Sequence, residues 1–285
     1  MTQMKSSECK PIAEEKLSVS SLFIYPVKSA RAVQIKKMEF NSLGLPVNDR
    51  IFSIISSSSA QILSSKRFPK LSQITPLISE ANELSLRCSG VSPVKIPIPE
   101  NDTDKENNIA SLCKTRVCMR KVNMIDCGLS AEIFLSQFLS EKVKLFKITR
   151  AEENLNLQMK APLLLITTGS INWLSEKLSE KQIKIPFQNL VSRFRANILI
   201  DTSTSFIEEK WSTLKIGNID FEILGNCTRC GAVCVNDKTG EKDSEPLQTL
   251  TKSRNRTQFG IYVSPKVTDL NLSISLSDVI EVTFR

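Results

Sequence analysis

Residues 18–26 read SVSSLFIYP, a short run of β-branched, aromatic and aliphatic side chains that stops at a proline. Runs of this length bounded by turn residues read as strands. Working outward, VQIKKMEF at 33–40 and IFSII at 51–55 repeat the pattern, the second fed by the loop LGLPVNDR at 43–50. Four serines at 56–59 suit a hairpin tip with a return strand at 61–63. Further strands are expected at 84–88, 94–97 and 115–122. After Pro186 they are expected at 196–200, 213–216, 221–224, 232–235, 260–263 and 279–284. Many short strands at such spacing predict a barrel or sandwich.

Two segments break that rhythm. SAEIFLSQFLSE at 130–141 puts Ile133, Phe134, Phe138 and Leu139 on one helical stripe, with Ser130 as cap. SINWLSEKLSEK at 170–181 aligns Ile171, Leu174 and Leu178 in the same way. Between them TRAEENLNLQMK, 149–160, is polar and linker-like, and no fixed-period repeat is present. The expected fold class is mainly β with peripheral helices (α+β), arranged as two β-rich lobes.

The 285 residues, 41% of them hydrophobic, suffice for a core without disulfide staples. The chain has no histidine, which excludes Ser-His and Cys-His catalytic triads and every His-containing zinc site. The formal charge of +8 comes from 38 basic and 30 acidic residues spread along the chain. With aromatics at 6%, no stacking platform for single strands is evident, and a nucleic-acid partner is not expected. A small polyanion held in a cleft fits the same charge. No window approaches the roughly 18 apolar residues of a membrane span. Residues 1–16 lack an apolar signal core and read as a solvated tail, so a cytoplasmic protein without a membrane partner is expected.

The sharpest local feature is GNCTRCGAVCVNDKTG, 225–240. Cys227 and Cys230 have C-x-x-C spacing, with Cys234 four residues on. A zinc site would need Cys113 and Cys118, or Cys234, as further ligands. A dithiol centre would need a helix start, whereas AVCVN alternates like a strand. An iron–sulfur cluster would need a fourth spaced cysteine. The cysteines could also simply pack beside a turn. The remaining reading is a single thiolate ligating a cofactor's metal, with Arg229 beside it favouring the anionic sulfur. RFRAN at 193–197, read as a strand entry, would project Arg193, Arg195 and Asn197 together and turn Phe194 to the core. That fork array suits an oxyanion, or else it is a solvated face. Tyr25-Pro26-Val27-Lys28-Ser29 ends a strand in a turn presenting a lysine and a hydroxyl, and Arg50 follows Asp49 in a nearby loop.

In chain order, YPVKSA, GLPVNDRIFSI, SKRFPKLSQI, DCG, RFRANI, GNCTRCGAVCVNDKTG, EPLQTL and FGIYV give the chain a family likeness from about residue 22 to residue 285. It resembles the cofactor-binding region of eukaryotic molybdenum cofactor sulfurases, a MOSC N-terminal β-barrel followed by a MOSC domain. It is more distantly similar to the mitochondrial amidoxime-reducing component. The resemblance implies a β-barrel N-terminal lobe at 17–140, a linker at 141–160 and a MOSC-type β-barrel domain at 161–285. It further implies that Cys230 is both the catalytic residue and the molybdenum ligand. Lys28, Ser29 and Arg50 would contact the anionic end of the molybdenum cofactor (Mo-molybdopterin), with Arg195, Asn197, Thr228 and Arg254 in the same pocket.

The function so implied is to hold that cofactor while an oxo ligand is exchanged for sulfido. Sulfur would come from a cysteine desulfurase domain or protein, and the acceptors would be molybdenum hydroxylases. Pyridoxal phosphate is not expected in this chain, which lacks both room for the desulfurase and the histidine such sites place over the ring. Alternatives are reduction of N-hydroxylated compounds, a non-enzymatic cofactor carrier, or a zinc-stabilised module.

Overall fold

The structure, a computed structural model, describes residues 17–98, 112–117, 120–149, 161–267, 271–276 and 278–285, with backbone alone for 112–123. Strands dominate it. In chain order they are β1 Ser18–Ile24, β2 Val33–Ile35, β3 Lys37–Glu39, β4 Phe52–Ser56, β5 Thr75–Ile78, β6 Glu83–Cys88, β7 Val91–Pro97, β8 Leu112–Val117 and β9 Arg120–Asp126. Helix α1, Leu129–Leu139, then precedes β10 Val143–Ile148 and β11 Leu163–Thr167. Helices α2 Thr168–Ser179 and α3 Phe187–Phe194 lead to β12 Ile198–Asp201, β13 Trp211–Ile216 and β14 Ile219–Thr228. Helix α4, Leu247–Arg254, is followed by β15 Gln258–Pro265, β16 Ser273–Ser275 and β17 Ile280–Phe284.

The main sheet is curled into a half-barrel in the order β17-β13-β14-β15-β11-β12-β1-β2. All its pairs are antiparallel except β11 with β12. A parallel pair needs a crossover, and α2 and α3 supply it. Smaller sheets run β4-β10-β9-β8 and β5-β6-β7, and β3 pairs β16. The mainly β class with outlying helices is as expected.

The lobes interleave more than the sequence suggested. β1 pairs with β12, Leu22 facing Ile198, so this opening strand is hydrogen-bonded into the half-barrel. Leu22, Trp211, Leu214 and Ile261 share one buried cluster, whereas Phe52, Leu71, Leu86 and Leu135 build the N-terminal core. The expected linker also begins inside structure, because β10 pairs β4 and β9. Its apolar alternation was masked by lysines at 144 and 147. Residues 150–160 lie outside the described residues.

Other boundaries shift for local reasons. Residues 33–40 form two strands broken at Lys36, and 115–122 fall on the hairpin of β8 and β9 rather than on one strand. The return at 61–63 is a single bridge, Ile55 to Ile62. Gly128, not Ser130, caps α1, which buries Ala131, Phe134 and Leu135 and leaves Ile133 exposed. In α2 the expected stripe of Ile171, Leu174 and Leu178 is buried, and Thr167 caps it by accepting from the Ser170 N–H. Residues 231–234 form a 3-10 turn where a strand was expected. Gly260 is required by close approach: at φ 75° its Cα lies so near β11 that a Cβ would stand 2.5 Å from the Leu165 carbonyl oxygen.

A buried carboxyl ties α2 to the half-barrel. Glu208 is fully buried and accepts from the hydroxyls of Ser170 (2.9 Å) and Thr167 (3.0 Å). Burial pushes its pKa up to about 7, the two hydroxyl bonds only partly opposing this. Between about pH 4.5 and pH 7 the folded chain therefore holds a proton that the unfolded chain has released. Folding stability is expected to fall as pH rises through that window, by about 1.4 kcal/mol per pH unit of difference between the two states. Urea unfolding at pH 5 and pH 8 checks it. The decline should flatten in Glu208→Gln, and an identical slope in the variant would refute the assignment.

Candidate cofactor site at the seam of the two sheets

Tyr25 follows β1 and is almost fully buried, tying two loops together. Its backbone N–H donates to Asp49 Oδ1 at 2.7 Å, and its hydroxyl donates to the Ala196 carbonyl at 3.0 Å. Asp49 also pairs with the neighbouring Arg50 guanidinium, and both are buried. Arg50 adopts a left-handed backbone (φ 55°) and donates to Asn197 Oδ1 at 3.4 Å and the Arg195 carbonyl at 3.3 Å. Arg195, also left-handed at φ 53°, ends α3 and donates from Nη1 to the Ala30 carbonyl at 2.6 Å. The guanidinium carbons of Arg50 and Arg195 lie 4.5 and 4.3 Å from the Tyr25 ring centroid, a cation–π arrangement.

Burial pushes the Tyr25 phenol up to about 12, against the pull of Arg195 and Arg50. Burial pushes Arg195 down to about 10, its attraction to Tyr25 and Asp49 outweighed, so it stays protonated at neutral pH. Arg50 and Arg229 act on Arg195 with like charge, and Asp49 with opposite charge. Among the described residues, these three cations, Arg50 buried and Arg195 and Arg229 half-buried, surround one carboxylate and leave the site net positive. A buried excess of charge is costly unless an ion of opposite sign completes it.

The cysteine turn meets this cluster through Arg229. β14 and β15 are antiparallel, Thr228 facing Gln258. Past Thr228, the Arg229 N–H donates to the Thr257 carbonyl at 2.9 Å. Its Nη2 donates to the Phe194 carbonyl at 2.6 Å, placing the turn against the residue before Arg195. Its Nη1 donates to Cys227 Sγ at 3.0 Å. Cys227 is buried, and so is Cys234, whose thiol burial pushes up. Burial, with the hydrogen bond to Cys227, likewise holds the Tyr262 phenol above its usual value. Cys230, which caps the 3-10 turn Gly231–Cys234, is the exposed one among the described cysteines. A thiol that reaches solvent can ligate or react, and a buried one cannot without opening the fold.

A family model for the MOSC N-terminal beta barrel domain matches residues 16–142, and one for the MOSC domain matches 152–281. The chain is a MOSC-domain protein. It is homologous to a region of the molybdenum cofactor sulfurases, 31% identical over 283 residues to that of Bos taurus (91% of this chain, 31% of the relative). The sulfurase of Danio rerio is 31% identical over 269 residues (87% and 32%), and that of Drosophila pseudoobscura pseudoobscura 32% over 288 (92% and 35%). The chain spans about a third of the length of these relatives.

The MOSC residues anticipated for the site fall into distinct positions. Lys28 and Ser29 lie on the turn after Pro26, Lys28 half-buried and Ser29 left-handed at φ 70°. The Ala30 carbonyl of that turn receives Arg195, so the two motifs meet. Thr228 is exposed at the end of β14, one residue from Arg229. Asn197 is fully buried: its amide donates to the Phe23 carbonyl at 3.1 Å, and its oxygen accepts from the Leu164 N–H at 3.3 Å. It therefore links Phe23 of β1 to Leu164 of β11 and accepts from Arg50, itself one of the cluster's cations.

Two expectations change, and a third residue, Arg254, has local partners of its own. Arg254 is held by Glu209 through two bonds of 3.0 and 2.8 Å, donates to the Gln258 carbonyl and stacks on Phe206 at 3.5 Å. It fixes the connection between α4 and β15. Arg193 does not share a face with Arg195 and Asn197, because it lies on the last turn of α3 and donates to the Glu245 carbonyl at 3.2 Å. Arg229 stands against Cys227 rather than Cys230. Among the described residues, no group of three or more Cys, Asp or Glu is arranged to hold a metal ion. The Cys113 and Cys118 side chains lie outside them. Also among the described residues, no helix is long and apolar enough to cross a membrane. Tyr25 and Asp49 were missed as organisers; the sole signal was their place in motifs already quoted.

Proposed function

We propose that this MOSC protein binds the molybdenum cofactor at the seam and supports exchange of its oxo ligand for sulfido. What carries the reading is that the exposed thiol, Cys230, stands one residue from an arginine bonded into a buried cluster with excess positive charge. The donor set fits the group. A single soft thiolate suits a molybdenum already held by a dithiolene, and converging guanidiniums suit a phosphate. When bound, the cofactor supplies the metal-centred chemistry. Cys230 would hold the metal. Lys28, Ser29 and Arg195 would bind and orient the anionic end, and Thr228 would line the approach to the thiol. Arg50 and Asn197 hold those loops in register, while Arg254 holds α4 from a distance. Sulfur would arrive as a persulfide from a cysteine desulfurase, with a second thiol as the two-electron reductant, so that the pair of thiols ends as a disulfide and the oxo oxygen leaves as water. The sulfurated cofactor would pass to molybdenum hydroxylases in the cytoplasm.

Anaerobic purification from a cofactor-producing host, with molybdenum and pterin quantified, is the test. Near-stoichiometric amounts of both are expected, and a persulfide donor should then let the loaded protein activate a desulfo-hydroxylase. A wild-type chain that holds neither molybdenum nor pterin would overturn the reading. Loading with reduction of an N-hydroxylated substrate, but without sulfur transfer, would replace it with the reductase.

A further inference from the structure

The loop that follows the cysteine turn is gripped by the N-terminal half through contacts that the reading above does not use. Residues 236–241 close on themselves, Asn236 N–H donating to the Glu241 carbonyl and Gly240 N–H to the Asn236 carbonyl, each at 2.8 Å. Onto this loop Arg31 donates twice to one acceptor, the Asp237 carbonyl, from Nη2 at 2.6 Å and Nε at 3.1 Å. Its Nε also faces the Ser72 carbonyl at 3.3 Å, and its backbone N–H donates to the Ile74 carbonyl at 2.9 Å. Gln73 Nε2 donates to the Lys238 carbonyl at 2.9 Å, and Lys242 Nζ to the Lys66 carbonyl at 3.4 Å. The fit is close. At Gly240 (φ 70°) an added Cβ would stand 3.1 Å from Gln73 Cδ.

Arg31 adjoins Ala30, whose carbonyl receives Arg195, and lies on the chain just past Lys28 and Ser29. One short turn thus presents cations to the candidate site and, with its next residue, clasps the loop that continues from Cys230. We propose that Arg31 is a positioning residue, the clasp that fixes the cysteine turn relative to the Lys28–Ser29 turn so that both engage one ligand. The proposal rests on reading Cys230 and Lys28 as cofactor-holding residues. A planar guanidinium is suited to the task because two of its N–H groups, held in a fixed fork, can grip one carbonyl, whereas the three N–H donors of a lysine ammonium radiate from one point without that fork. A charged donor to a carbonyl is also worth more than a neutral one. All the loop's acceptors here are backbone carbonyls, so the clasp acts on the chain's path and not on any titrating group.

The test uses the whole chain, first without cofactor. In Arg31→Ala, amide hydrogen exchange across 230–242 is expected to rise about tenfold or more, as bonds of this strength are lost locally. Arg31→Lys should fall between it and wild type. Gln73→Ala, which removes the neighbouring bond to the Lys238 carbonyl and leaves the backbone unstrained, should raise exchange in the same segment, and wild-type exchange in it would count against a grip on this loop even if Arg31→Ala does not fold. In the loaded protein, Arg31→Ala should release molybdenum faster and alter the Mo(V) resonance signal, with the thermal midpoint close to wild type. Wild-type exchange in Arg31→Ala, or a rise spread over the whole chain instead of 230–242, overturns the proposal. A wild-type chain without molybdenum sinks the cofactor reading alone, since the exchange measurement still decides whether Arg31 clasps the loop.

Discussion

Asp49→Ala is expected to lower the free energy of unfolding by about 3–5 kcal/mol, the cost of breaking a buried ion pair from one side. The Asp49 side chain is fully buried and its partner Arg50 nearly so. Removing the carboxylate takes from the buried Arg50 guanidinium the ion pair it makes beside Arg195, and it orphans the Tyr25 N–H that Asp49 Oδ1 accepts at 2.7 Å. Neither loss can be repaired by water without opening the contact between the 49–50 loop and the end of α3. Asp49→Asn retains an acceptor for Tyr25 but not the charge, so it should fall between wild type and Asp49→Ala. Urea unfolding at neutral pH checks both. A loss below 1 kcal/mol in Asp49→Ala would mean that Arg50 is not held by this pair.

Cys230→Ser is expected to cut molybdenum retention at least tenfold after anaerobic purification, while leaving folding stability within about 0.5 kcal/mol of wild type, as is usual for an exposed position. Serine replaces a soft sulfur donor with a hard, protonated hydroxyl of lower affinity for such a metal. Cys88→Ser is the control, because Cys88 ends β6 in the three-stranded sheet of the N-terminal half. Equal retention in the two variants would remove Cys230 as ligand. Retention lost in Cys227→Ser but kept in Cys230→Ser would move the site to the buried thiol that Arg229 holds.

Much of the fold was legible because strand and helix periods are local. The runs at 18–26, 51–55 and 260–263 and the stripe at 171, 174 and 178 lie in the elements expected of them. Helices α3 and α4 escaped notice because each is eight residues long, about two turns, too short for a period to stand out from a strand-like background. The error at RFRAN followed. Taken as a strand, Arg193, Arg195 and Asn197 share a face; on a helix end followed by a left-handed residue, they diverge.

The sequence by itself determined that the chain is strand-rich, that these 285 residues offer no histidine of their own, and that a lysine turn, two arginines and a cysteine turn recur in a MOSC order. Those features are composition, period and motif, and each can be read within a few residues. Tertiary structure alone decided that Cys230 reaches solvent while Cys227 and Cys234 do not, and that Arg195 joins the buried cluster. It also decided that Arg50 donates to Asn197 and that Arg254 pairs with Glu209. Burial and charge pairing are made by residues distant in sequence, such as Tyr25 with Ala196 and Arg31 with Asp237. A side chain's direction turns on the backbone state of its neighbours, and no local pattern encodes either.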